Sequence, residues 1–357
     1  MFDRQTILIT GGAGFVGAHL ALVFKEHYPS ARVIAFDNLK RKGSELNLLR
    51  LIQGGIEFLH GDVRVPADFP ILKNLALIVE CSAEPSVLAG YGEAPAYVID
   101  SNLNGVIHCL ELARNTGAAM LFLSTSRVYP IQALCDIALE ERDTRFEVQQ
   151  KQDQPGITTA GIDELFPING ARSLYGATKY AAEVFITEYA AMYGLHCIIN
   201  RCGIIAGPWQ MGRVDQGLMS YWLSRHIFKK SLSYIGFGGK GKQLRDMLHV
   251  ADLRDLILLQ AANIAEWSGS LFNVGGGVDN SISLQELTRL CTKVTGETLS
   301  VSSNETTRPA DIPYYVSNNK SVQANCGWSP SRSLEIIAED TARWMRDNCE
   351  MLRNTLG

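Results

Sequence analysis

A tyrosine and a lysine stand four residues apart in the stretch Ser173-Leu174-Tyr175-Gly176-Ala177-Thr178-Lys179. On a helix that spacing puts both side chains on one face. An ammonium beside a phenol favours the phenolate and draws its pKa down from about 10. Such a tyrosine can act as a general base on a sugar or alcohol hydroxyl near neutral pH. Alone, the pair reads equally well as an amphipathic helix with a snorkelling lysine. Two other stretches raise it. Gly11-Gly12-Ala13-Gly14-Phe15-Val16-Gly17 follows the apolar run Thr6–Thr10 and precedes a helical pattern from Ala18 to Tyr28. Gly11, Gly14 and Gly17 in that setting let a pyrophosphate approach the backbone at a helix N-terminus. Asp37 lies 20 residues beyond Gly17, at the end of the run Arg32–Phe36, where an acid accepts both ribose hydroxyls of NAD. Lys40, Arg41 and Lys42 follow it and could accept a 2′-phosphate, but Asp37 would repel one, so NAD is the expected cofactor. The third stretch is Ser124-Thr125-Ser126-Arg127-Val128-Tyr129, at the end of the apolar run Met120–Leu123.

The elements that must carry these residues alternate between strand and helix. Strands are expected at 6–10, 32–36, 56–64, 75–81, 120–123 and 197–201, with helices at 18–28, 102–114 and 175–193. That alternation implies a parallel sheet, and ligands bind such a sheet at the carboxyl ends of its strands. Asp62 ends the third strand, where it would meet an adenine. Residues 133–167 are polar and poor in pattern, and are expected to be a loop with some local structure. Beyond Gly207-Pro208 the rhythm breaks; one more strand is expected at 272–274 and helices at 283–295 and 333–348. The fold class is α/β: a Rossmann-type doubly wound parallel sheet with a smaller C-terminal α/β domain for the substrate. The expected division is residues 1–205, with a return near 246–278, for the dinucleotide, and 206–245 with 279–357 for the substrate.

Composition excludes several classes. The 357 residues are 46% hydrophobic, enough for a sizeable core. A net charge of −4 gives no basic excess for nucleic acid, and no apolar run is long enough to span a membrane. The opening Met1-Phe2-Asp3-Arg4-Gln5 leads straight into a strand pattern, so no signal peptide is expected. The eight cysteines are scattered without a CxxC pair, so a reducing cytoplasm, no disulfides and no metal site are expected.

Taken together the chain resembles the extended short-chain dehydrogenase/reductase family of sugar-nucleotide epimerases and dehydratases. The resemblance rests on Gly11/Gly14/Gly17, Asp37-Asn38, Gly61-Asp62-Val63-Arg64, Asn102, Ser124-Thr125, Tyr175/Lys179, Gly207-Pro208, the run Arg245–Val250 and Arg308-Pro309-Ala310-Asp311. It covers nearly the whole length. It implies that Thr125, Tyr175 and Lys179 form the catalytic set. It places Phe15, Val16, Asn38, Lys42, Asp62, Val63, Cys81, Ser82, Ala83 and Asn102 on NAD, together with the glycines, Asp37, Tyr175 and Lys179. Glu84, Ser126, Arg127, Arg201, Asp215, Gln216, Arg245 and Arg308 are expected on the substrate, with Arg245 and Arg308 gripping its diphosphate. Within the family the nearest subgroup inverts C2 of CDP-deoxyhexoses. Phe36–Gly43, Asp143–Phe146, Val214–Gly217 and Gly239–Asp246 carry that likeness. There are departures: Glu80-Cys81-Ser82-Ala83 stands where His-Leu-Ala-Ala is usual, Ser126-Arg127 where the epimerase has Asn-Lys, Pro130 where glycine is usual, and Arg201–Ala206 lacks the common Asn and Tyr.

The chemistry implied is transient oxidation of a ring carbinol and re-reduction from its other face, with no net redox change. A 4-epimerase, a dehydratase or decarboxylase, a net oxidoreductase and a degenerate NAD-sensing protein are the alternatives. Intact Thr125, Tyr175 and Lys179 weigh against the sensor. The lyases carry an acid directly after the threonine or at the second position, where this chain has Ser126 and Arg127. A homodimer is expected, because Ala181, Ala182, Phe185 and Ala190 on one helix and Ile107 and Leu110 on the other exceed what one sheet face buries.

Overall fold

The computed structural model describes residues 2–353 and 355–356. Its central sheet has seven strands. Five come first in the chain: β1 (Thr6–Thr10), β2 (Arg32–Asp37), β3 (Glu57–His60), β4 (Leu75–Glu80) and β5 (Ala119–Thr125). Strands Cys197–Cys202 and Leu271–Val274 complete it, and the order runs Leu271–Val274, Cys197–Cys202, β5, β4, β1, β2, β3. The pairings from β3 through to β5 are all parallel. β1 is buried from end to end and β4 at all but one position, because both their faces are covered, as in a sheet flanked by helices. The chain winds outward from β1 to β3, then returns to β4 on the other side of β1. The crevice outside the carboxyl ends of β1 and β4 is therefore the switch point where such sheets take their ligands.

Contacts divide the chain into two compact units. The first comprises residues up to Thr125, Leu174–Arg201 and Arg254–Phe272. Its core joins Leu8, Ile34, Phe36, Ile78 and Phe122 of the sheet to Leu110, Ala182 and Ile186 of the flanking helices. Those helices are Gly105–Thr116 and the long helix Leu174–Tyr193; α1 (Phe15–His27) and α2 (Asn47–Gln53) belong to the same unit. The second unit comprises Ser126–Ser173, Cys202–Leu253 and the chain from Asn273 on. Residues 126–173, expected with the first unit, thus pack with the second. They are also more ordered than their composition suggested: a short helix Ile131–Cys135 and the small hairpins Leu139–Glu141/Phe146–Val148 and Ile157–Thr158/Gly161–Ile162 lie in them. A small sheet in this unit joins Ile204–Ala206, Leu244–His249, Ser281–Ser283 and Tyr314–Tyr315. None of its strands was expected; all but Leu244–His249 are two or three residues long, too short to show a period. Helices Leu284–Thr295 and Leu334–Asp347 start at Ser283 and Ser333, whose hydroxyls accept a backbone N–H of the first turn. Among the described residues no helix is long and apolar enough to cross a membrane.

Candidate active site

The glycine turn leaves β1 and enters α1 at Gly14. Gly11 has φ +60°, and a Cβ there would lie 2.8 Å from the Cys81 carbonyl oxygen. A Cβ on Gly17 would lie 2.2 Å from the Gly11 carbonyl oxygen, so neither position admits a larger residue without displacing backbone. Phe15 and Val16 open α1, whose first turn carries no acid. That helix end is built for an anion, so the turn fits a dinucleotide pyrophosphate.

Asp37 ends β2 beside this turn. One carboxylate oxygen accepts the Ala13 N–H at 3.1 Å and the other accepts the Leu39 N–H at 2.7 Å. Burial raises its pKa above the ordinary carboxylate value, and these backbone donors oppose the rise. Asn38 donates to Asp62 at 3.0 Å, and Arg64 grips the same carboxylate at 2.6 Å. The Arg64 bond is the main cause that holds Asp62 down at about 2. Arg64 and Lys40 both stand 4.6 Å from the Tyr97 ring centre. Val63 is buried against Gly105, and Lys42 is exposed.

Asn102 is fully buried in a π-helical turn, Asp100–Asn104, that leads into Gly105–Thr116. Its amide accepts from the Glu84 N–H at 2.7 Å and donates to the Glu84 carbonyl at 3.1 Å. Asn102 thereby clamps the segment after β4 that carries Cys81, Ser82, Ala83 and Glu84. Cys81, Ser82 and Glu84 are half-buried and Ala83 is exposed.

Thr125 is the buried last residue of β5. Tyr175 and Lys179 lie in the first two turns of Leu174–Tyr193, on one face, with Tyr175 half-buried and Lys179 only 2% exposed. Lys179 stands 4.0 Å from the Phe122 ring centre and its Nζ is 3.6 Å from Glu80 Oε2. Arg201, expected on the substrate, meets Glu183 instead: its Nη2 donates at 2.7 Å and both groups are nearly fully buried. Ser124 donates its hydroxyl to the same carboxylate. Glu183 and Glu80 were not singled out as site residues. Glu183 lies four residues after Lys179, on the same helical face, which is the signal that could have found it.

In the second unit, Ser126 and Arg127 form a 3-10 turn, and Arg127 donates to the Ala310 carbonyl at 3.0 Å. Arg245 is 8% exposed and donates to the Asp311 carboxylate at 3.1 Å and the Ile312 carbonyl at 2.5 Å. Burial lowers its pKa to about 10, and the charge of Arg127 adds to that, while Asp311 opposes it. Arg245 therefore remains cationic at neutral pH. Half-buried Arg308 lies on the same segment as Ala310 and Asp311. The unit thus brings Arg127 and Arg245 to the segment that carries Arg308, a cationic cluster suited to a polyanion. Asp215 and Gln216 lie on a tight turn closed by Arg213 and Gln216, whose N–H groups donate to each other's carbonyls at 2.7 and 3.1 Å.

Residues 7–275 match the NAD dependent epimerase/dehydratase family. The chain is 30% identical over 348 residues to CDP-paratose 2-epimerase of Salmonella typhi, covering 96% of this chain and 98% of that one. It is 27% identical to UDP-glucuronate 4-epimerase 4 of Arabidopsis thaliana, over 95% of this chain and 75% of the relative. Its fold matches the crystal structure of UDP-glucuronic acid 4-epimerase from Bacillus cereus in complex with UDP-glucuronic acid and NAD, with a TM-score of 0.78 at 19% identity, over 96% of this chain and 99% of that one. The glycine turn, the acid-free helix end and Asp37 fit NAD, the cofactor that the family description and the Bacillus cereus structure name. The chain is an enzyme of the NAD dependent epimerase/dehydratase family.

Proposed function

We propose that this enzyme inverts a ring carbinol of a nucleotide-activated sugar, C2 of a CDP-deoxyhexose, with no net redox change. The observation that carries the choice of substrate is the end-to-end likeness to CDP-paratose 2-epimerase. Bound NAD supplies the redox chemistry at the ring carbon. The turn from Gly11 to Gly17, with Phe15 and Val16, holds its pyrophosphate, and Asp37 its ribose. Asn38, Lys42, Asp62, Val63 and the segment Cys81–Ala83, held by Asn102, border it. Tyr175 takes the proton of the reacting hydroxyl and later returns it. Lys179 supports the phenolate by its charge. Thr125 hydrogen-bonds the reacting oxygen and fixes its direction.

Arg245 and Arg308 bind the diphosphate, with Asp215 and Gln216 on the substrate as well. Ser126 and Arg127 stand where an eliminating enzyme needs an acid. An arginine neither removes a carbon-bound proton nor protonates a departing hydroxyl at neutral pH. Arg127 is instead a cation beside Arg245, suited to a substrate oxygen or phosphate. Glu84 borders the sugar. Arg201 is assigned to the scaffold, because Glu183 occupies its guanidinium.

The enzyme is also proposed to act as a homodimer through its long helix. Phe185 is 41% and Val184 45% exposed there, whereas Ala182 and Leu110, expected on that face, are core residues.

The test is turnover of ring-deuterated CDP-, UDP-, GDP- and dTDP-sugars in heavy water. Inversion with the deuterium kept on the inverted carbon, and the CDP-sugar preferred, is expected. Solvent label on that carbon would mean enolisation, and a product lighter by water or carbon dioxide would mean a lyase. Preference for a UDP-sugar inverted at C4 would favour the second reading, which the likeness to UDP-glucuronate 4-epimerase supports.

A further inference from the structure

A carboxylate where the family usually has an imidazole is the least expected feature of the first unit. Glu80 is the last residue of β4, fully buried, and in register with Thr10 of β1 and Phe122 of β5. Its two oxygens do different things. Oε1 accepts the Ser82 N–H at 3.0 Å, the Ser82 hydroxyl, and the Thr10 hydroxyl at 3.4 Å. Oε2 has no hydrogen-bond partner and faces Lys179 Nζ at 3.6 Å. A buried carboxylate with one bare oxygen is costly unless a counter-charge is close, and the same holds for a buried ammonium. Each group here is the other's counter-charge.

Other titratable groups bear on the pair. Cys109, from the helix Gly105–Thr116, is buried beside it: burial pushes its thiol well up, the charge of Glu80 adds to that, and Lys179 opposes it. Tyr175 precedes Lys179 by one helical turn, and Glu183 follows it by one turn but is engaged by Arg201 and Ser124. Glu80 is thus the carboxylate that faces Lys179.

We propose that Glu80 is a positioning residue: it anchors the Lys179 ammonium, offsets its field at Tyr175, and ties it to the Ser82 segment. The inference rests on the reading of Tyr175 as the base. Were Lys179 unopposed, its full charge would favour the phenolate. A carboxylate 3.6 Å from the ammonium forms an ion pair whose field falls off faster than that of a single charge. Tyr175 then gives up its proton at a higher pH than it would beside a lone lysine. The same carboxylate holds Ser82 through two donors, so Lys179 and a segment proposed to border the cofactor keep a fixed spacing.

The experiment uses Glu80→Gln, which keeps an acceptor for Ser82 and Thr10 but removes the charge, and Glu80→Asp, which keeps the charge. In Glu80→Gln the acid limb of log kcat against pH is expected to move down by roughly half a unit to one unit, the low end of what one nearby charge does. Glu80→Asp is expected to keep the limb near its original place. A limb unmoved in Glu80→Gln overturns the proposal.

Stability supplies an arm independent of turnover. In Lys179→Met a buried carboxylate has lost its counter-charge and is favoured in its neutral form. The fold then loses stability as pH rises past the ordinary carboxylate range. Its Tm is expected to fall further below the parent at pH 8 than at pH 5, and Glu80→Gln/Lys179→Met is expected to recover much of that loss. A Tm deficit independent of pH overturns the pairing. Tyr175→Phe separates the two failures. An inactive Tyr175→Phe with an unmoved Glu80→Gln profile sinks this inference alone. An active Tyr175→Phe sinks the reading of the site, and with it the link from Glu80 to the base.

Discussion

Tyr175 and Lys179 are one turn apart, yet one is half-buried and the other almost wholly enclosed. That difference suits their proposed roles: the base must reach a substrate hydroxyl, and the lysine must act through its field in a place of low dielectric. Replacing Tyr175 with Phe keeps the ring and removes the base. Turnover should fall by roughly a hundredfold or more while NAD binding and Tm hold, a loss single-turnover and calorimetric assays would register. Asp62 gives a prediction in pH. Its folded value of about 2 lies below the ordinary value, so it contributes stability above that ordinary value. The contribution is lost as pH falls from about 4 through about 2. Arg64→Ala removes the main cause, and its acid-unfolding midpoint, followed by circular dichroism, should move to higher pH than the parent's.

Turns and ion pairs join one element to the next. In the first turn of α1 the chain has room for glycine alone at position 17, because a methyl group would sit 2.2 Å from the Gly11 carbonyl oxygen. Gly17→Ala must displace the turn, so the purified variant should release no NAD on denaturation where the parent does. Between the strand Cys197–Cys202 and the long helix, the link is Arg201 with Glu183, 18 positions apart. Removing one partner strands the other's charge in the core, a loss of roughly 3–5 kcal/mol. Arg201→Ala should show that loss in chemical denaturation. Retained stability would mean that the guanidinium belongs to the substrate after all.

At the scale of the whole molecule, the proposed dimer rests on exposed apolar side chains. Val184 and Phe185 are exposed on a helix that Ala182 and Ile186 anchor in the core. A second copy across a two-fold axis would cover them, the commonest arrangement for a soluble oligomer. Light scattering at micromolar concentration should give twice the mass of the chain, and Phe185→Glu should shift it toward the monomer with its circular dichroism intact. A parent that scatters only as a monomer would refute the dimer.

The central sheet was legible in the sequence because its signals are local. β1 appears at Thr6–Thr10 as expected, and β2, β4 and the long helix match to within a residue at each end. An apolar run, a glycine turn and a helical period are properties of neighbouring residues. The glycine turn, Asp37 and the Tyr175/Lys179 spacing were legible for the same reason. The small sheet of the second unit was not, since several of its strands are two or three residues long and find their partners far along the chain. Nor was the fate of the charges. Sequence alone offered Arg201 to a substrate and left Glu80 as a departure from the usual His. Folding set Arg201 on Glu183, brought Arg127 to a carbonyl 183 positions away, and enclosed Lys179 with Glu80. A charge taken out of water must find an opposite charge or hydrogen bonds. Which partner it finds depends on which strands and helices the fold lays side by side, and only the tertiary structure decides that.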